Sequence, residues 1–136
     1  MSELLYPKIN PIKYLDLAVE LAAKSDDAAR RSAADRAYYA AFLACRDVLA
    51  TKNYITPKYS SDDHLDIAKK LRNPNLLGNY GDNESRLRKA RDSITYDTRD
   101  LAANHEKAKR LEWMIKTARE IIDRVQALPV NPVIRK

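Results

Sequence analysis

The sequence predicts an all-α fold, an antiparallel helical bundle of two long and two to three short helices forming one domain over residues 1–136. Three observations carry this expectation. The 136 residues include only two glycines, against many Ala, Leu, Lys, Arg, Glu and Asp, a composition that favours helices and starves tight hairpin turns. Apolar residues recur at spacings of three and four. The breaks between periodic segments are short and marked by Pro, Asn, Asp or Ser. A hydrophobic fraction of 45 % is enough for a single core.

Asn10 and Pro11 read as N-cap and first helical residue. Ile12, Leu15, Val19 and Ala22 then mark one face of a first helix from about Pro11 to Lys24. Ser25, Asp26 and Asp27 cap a long second helix ending near residues 51–53, with Ala34, Tyr38, Phe42, Cys45 and Leu49 as its stripe. Residues 53–61, with Pro57, form a loop. Ser61, Asp62 and Asp63 open a short helix through Leu71, which Asn73 and Pro74 stop. The stretch NPNLLGNYGDN, residues 73–83, holds both glycines and has the strongest turn composition in the chain. Leu87, Ala90 and Ile94 mark an Arg-rich amphipathic helix with a bend or break near Tyr96. Leu111, Ile115, Ala118, Ile122 and Val125 define a long final helix, which LPVNP ends, leaving residues 129–136 as a frayed tail.

No apolar run approaches the roughly 20 residues of a membrane span, and MSELLYPKIN lacks the regions of a signal peptide, so the expectation is a cytoplasmic protein with no membrane partner. Cys45, the lone cysteine, lies in the apolar run YYAAFLAC and reads as a buried spectator. There is no glycine-rich phosphate loop, no paired-cysteine zinc spacing and no His pair at i and i+4. A conventional NTPase or zinc enzyme is therefore not expected, and no metal or cofactor is implied. His64 and His105 are far apart in sequence, and His64 beside Asp62 and Asp63 reads as part of a helix start.

The net charge of +6 is unevenly placed. Residues 1–85 carry 12 basic and 12 acidic side chains, residues 86–136 carry 13 and 7. A basic half attracts polyanions, which makes Arg86, Arg88 and Lys89 candidate RNA-binding residues. The plainer alternative is a solvated basic helix face, since no aromatic side chains alternate with these charges. Tyr38 and Tyr39 project about 100° apart on a helix. Tyr38 is expected in the core, and Tyr39 is a candidate dimer or partner contact. Trp113, off the stripe of the last helix, is another such candidate, with an ordinary half-buried position as the alternative.

The stretch RRSAADRAYYAAFLACRDVL, residues 30–49, resembles the second-helix signature of HEPN proteins, with its basic residue, paired tyrosines and small-residue stripe. HLDIAKKL at residues 64–71 resembles the short third helix of that family, and ARDSITYD at residues 90–97 its Arg-x-x-Ala-Asp-Tyr segment. The similarity follows the family's order across nearly the whole chain.

The resemblance implies a homodimeric bundle of a toxin–antitoxin or defence-type system, acting with a separately encoded nucleotidyltransferase-like partner and with RNA or a nucleotide as ligand. It also implies that active members cut RNA without a metal, using an Arg and, after four to six residues, a His. Such an Arg holds a phosphate through its planar fork while a neutral His takes the 2′-hydroxyl proton. Arg91 falls on the family's arginine and Asp92 on the polar residue after it, but Tyr96 stands where nuclease members have His. A tyrosine of ordinary pKa near 10 is a poor base at neutral pH. The missing His favours a non-enzymatic or weakly active module; the alternative is an active metal-independent endoribonuclease. A second pair, Arg99 and His105 in RDLAANH, also fits the spacing. In one continuous helix their side chains would stand about 120° apart and would need a break or a dimer partner to converge.

Overall fold

The computed structural model describes residues 10–73, 76–77, 82–96 and 105–132, apart from the side chains of residue 96 and residues 105–107. Five α-helices make up the described chain: α1 (Pro11–Ala22), α2 (Asp27–Thr51), α3 (Asp62–Leu71), α4 (Asn83–Tyr96) and α5 (His105–Gln126). No strand occurs among the described residues. Two helices are long and three shorter, as the sequence predicts.

Helix α2 is the central pillar, packed against α1, α3, α4 and α5. Ala33, Ala34, Ala37, Ala40, Ala41 and Ala44 are buried around its length together with Tyr38, Phe42, Cys45 and Leu49. A helix surrounded by others needs small side chains where its neighbours approach and large ones where gaps remain, which this alanine stripe provides. From the other helices the core receives Leu15, Ile67, Leu71, Leu87, Ile94, Met114, Ile121, Ile122 and Val125.

The caps of α1 and α2 follow the sequence. Asn10 Oδ1 accepts from the Ile12 amide at 3.0 Å, and Asp26 Oδ1 from the Ala28 amide at 3.1 Å. Ser61 precedes α3 but makes no side-chain cap bond. Asp63, read from sequence as a helix-start charge, is instead 2 % exposed and accepts from the Lys58 and Tyr59 amides, both at 2.8 Å. It staples the preceding loop, with Tyr59 in the left-handed region at φ 55°, onto the start of α3.

Two stripes differ from expectation in phase. On α1 the buried residues are Leu15 and Ala18, while Val19 is exposed. On α5 Met114 is fully buried and Ile115 only partly. Helix α1 also stops at Ala22, short of Lys24. The tail expected to fray from residue 129 is tied down as far as Asn131. Tyr54 donates to the Pro129 carbonyl at 2.7 Å, and the Asn131 amide to the Lys52 carbonyl at 2.8 Å. Lys52 in turn donates to the Gln126 and Leu128 carbonyls at the end of α5. The unpaired carbonyls of two helix ends thus find donors in each other's flanking residues. Residues 133–136 and most of the predicted turn at 73–83 lie outside the described residues.

Candidate functional site

Helix α4 turns two different faces to the molecule. Residues 84, 88 and 91 share one face, and residues 86, 89, 90 and 93 another. The first face meets α2 and α3 around a polar and aromatic cluster. Asp35, Tyr38, Tyr39 and Phe42 stand three and four residues apart on α2 and form its wall. His64, held in the first turn of α3, stacks on Phe42 with ring centroids 4.0 Å apart. Asp63 fixes the start of that turn, so the position of the imidazole follows from a bond the neighbouring carboxylate makes to the loop.

Arg91 lies across the tyrosine pair. Its guanidinium carbon is 4.7 Å from the Tyr38 ring centroid and 5.7 Å from that of Tyr39. Its Nε and Nη2 donate to Asp92 Oδ1 at 3.0 and 2.8 Å, and Nη1 stands 3.8 Å from Asp35 Oδ1. Two atoms of the fork are thus fixed by Asp92, while Nη1 is beyond hydrogen-bond distance of Asp35 and can donate to an incoming oxygen.

Beneath the arginine, the Tyr38 hydroxyl contacts His64 Nδ1 and donates to Glu84 Oε1 at 3.2 Å. Tyr38 is fully buried and Glu84 is 1 % exposed. Burial first, and then the charge and hydrogen bond of Glu84, raise the Tyr38 pKa, so the phenol keeps its proton. Burial pushes the Glu84 carboxyl up to about 7, although the Tyr38 hydrogen bond and the charges of Arg88, Arg72 and Arg91 pull the other way. Burial, then Arg88 and Arg91, lower the His64 pKa against the opposing charges of Asp63 and Asp92, so the imidazole is neutral at physiological pH. Cys45 is buried below this cluster with its thiol pushed up by burial and by Glu84, and is inert as a nucleophile.

Proton counting fixes what the cluster can do. When Glu84 is ionised it only accepts, so Tyr38 must donate to it and His64 Nδ1 must donate to the Tyr38 oxygen. Nε2 then carries the lone pair, and among the described residues nothing bonds to it. The result is a neutral, half-buried imidazole with a free basic nitrogen near two arginines. This is the pairing needed to take a proton from a hydroxyl beside a phosphate.

The structure brings Arg91 and Asp92 together in this cluster and adds Tyr39, which is half-buried there. Arg88 joins the same side through its charge on His64, Tyr38 and Glu84. Arg86 and Lys89 separate from it and line a groove toward α5 that also holds Trp113. Tyr96 is the last residue of α4 and His105 the first of α5, but their side chains and all of Arg99 lie outside the described residues. Sequence reasoning missed His64, Glu84 and the polar role of Tyr38. The one available signal was that the segment resembling the family's third helix opens on His64. Among the described residues no three metal-ligating side chains come together, and no helix is long and apolar enough to cross a membrane.

No family model matches the chain, and comparison with curated proteins and with solved structures finds no match either.

Proposed function

We propose that this chain is a HEPN-type module of a toxin–antitoxin or defence system that engages the RNA backbone at the α2–α3–α4 cluster. It works as a homodimer and with a nucleotidyltransferase-like partner. One observation carries the reading. The three segments that resemble the family, though separated in sequence, supply Tyr38 and Tyr39, His64, and Arg91 with Asp92 to a single cluster. Shared core packing alone would not require these polar residues to meet.

A second reading, a metal-independent endoribonuclease, is favoured by His64. The sequence lacks a histidine at position 96, but a neutral imidazole stands beside the arginine from a different helix. In this reading His64 Nε2 takes the 2′-hydroxyl proton as that oxygen attacks the adjacent phosphorus, while Arg91 Nη1 and Arg88 hold the phosphate oxygens. The bond from phosphorus to the 5′-oxygen breaks, and that oxygen receives the proton from His64. The products are a 2′,3′-cyclic phosphate and a 5′-hydroxyl.

Single-stranded RNA incubated with the protein in EDTA tests both readings. Binding weakened at least tenfold by Arg91→Ala, without cleavage, is the outcome for the module. Cyclic-phosphate ends that disappear in His64→Ala are the outcome for the nuclease. RNA binding indifferent to Arg91→Ala removes the cluster from either role.

A further inference from the structure

The groove between α4 and α5 lies on the opposite side of α4 from the cluster. It is an open groove of about 610 Å³ lined by Arg86, Lys89, Ala90, Ser93, Lys109, Arg110 and Trp113. Four of these side chains are cationic and none is acidic. Among the described residues, Arg86, Lys89 and Lys109 form no ion pair. Arg110 Nη1 donates to Ser93 Oγ at 2.9 Å, which ties the two helices together across the groove. Trp113 is 37 % exposed, which leaves part of the indole open to the groove.

A polyanion would be drawn here by charge alone, and a carboxylate-rich surface is the only protein partner that charge would select. The indole adds a second requirement. A flat π-face among four cations matches a ligand carrying both phosphates and unstacked bases, since bases stack on aromatic rings while the backbone follows the charges. A duplex hides its base faces and cannot use Trp113. We infer that the α4–α5 groove is a binding track for single-stranded RNA, with Trp113 as its stacking platform and Arg86, Lys89, Lys109 and Arg110 as its phosphate contacts. The choice of RNA as the strand rests on the function proposed above; the charge and aromatic argument does not. Helix α4 then serves the strand on both faces, the groove holding a segment away from the cluster that Arg91 engages.

Trp113 is the single tryptophan of the chain, so its fluorescence reports this groove alone. Titration of the full chain with a uridine oligonucleotide, at low and moderate salt, is expected to quench Trp113 emission. Lys89→Glu and Lys109→Glu, checked for folding by circular dichroism, are expected to weaken binding about tenfold or more and to flatten the salt dependence. Trp113→Ala, followed by anisotropy of labelled RNA, is expected to weaken binding about fivefold or more. Emission unchanged at saturation, or heparin and duplex RNA binding as tightly and quenching as strongly, overturns the proposal. Arg91→Ala separates it from the cluster. If quenching persists in wild type and in Arg91→Ala while RNA shows no dependence on Arg91, the groove stands and the function assigned to the cluster falls.

Discussion

Tyr38 has one proton to give and two neighbours that could take it, so the protonation of Glu84 decides how His64 is oriented electronically. Above about pH 7 the ionised carboxylate claims the phenol proton and His64 carries its own proton on Nδ1. Below that, a protonated Glu84 can donate to the Tyr38 oxygen, Tyr38 donates to Nδ1, and the imidazole proton moves to Nε2. Nitrogen-15 shifts of the imidazole are expected to show this exchange around pH 7 and to lose it in Tyr38→Phe. With two histidines in the chain the signals are readily assigned. Stability carries the same signature. Because the folded pKa of Glu84 lies above the ordinary 4.5, its contribution is fully present below pH 4.5 and is lost as pH rises through 7. Glu84→Gln, neutral throughout, should therefore match wild type in acid and exceed it above pH 7, by on the order of 3 kcal/mol in urea unfolding. Equal stability at pH 8 would contradict the buried charge. The His64 pKa shifts in the opposite sense, lowered by burial and by Arg88 and Arg91.

Little of this was legible in sequence. Arg91 and Asp92 were found through their resemblance to a family segment. Glu84 carries no distinguishing signal in the sequence, and only its contact with Tyr38, across 46 residues, reveals its role. Tyr38 was placed in the core by its stripe, correctly. Its buried hydroxyl needs a partner, and periodicity cannot say which residue supplies one.

At the scale of elements, the caps of α1 and α2 and the α2 stripe could be read directly from Asn-Pro, from Ser25-Asp26-Asp27 and from a long alternation of Ala with Tyr, Phe and Leu, whereas the same Ser-Asp-Asp at 61–63 opens α3 without a side-chain cap and spends Asp63 on the preceding loop. The phases of α1 and α5 could not. Around α1 the apolar residues 12, 14, 15, 17, 18, 19, 21 and 22 fit more than one face, and α5 offers both Met114 and Ile115, so the neighbouring helices decide. Helix α2 tolerates no bulk where its alanines are closed in. Ala37→Leu should cost about 1–3 kcal/mol or more in chemical unfolding, and an unchanged midpoint would show that the stripe has room. Helix α3 depends on Asp63. Replacing it by Ala removes two charge-assisted bonds to backbone amides, with an expected loss of about 2–3 kcal/mol and a disturbed His64 resonance. A His64 signal identical to wild type would show that the staple does not position the imidazole.

For the whole molecule, the charge surplus of residues 86–136 gains meaning only once α4 and α5 are side by side, because neither helix alone forms the groove that Arg86 and Lys89 share with Lys109, Arg110 and Trp113. The proposed homodimer should show twice the 15.6 kDa of one protomer by light scattering. A single-protomer mass at all concentrations would remove the dimer from the proposed function. The proposed function requires RNA to meet the cluster built by α2, α3 and α4, and the His64 ring is the most direct reporter of that contact. In EDTA at pH 7.5, single-stranded RNA should shift the His64 Nε2 signal in proportion to occupancy, and Arg91→Ala should suppress the shift. Saturation of the protein with RNA while His64 stays unmoved would contradict the account.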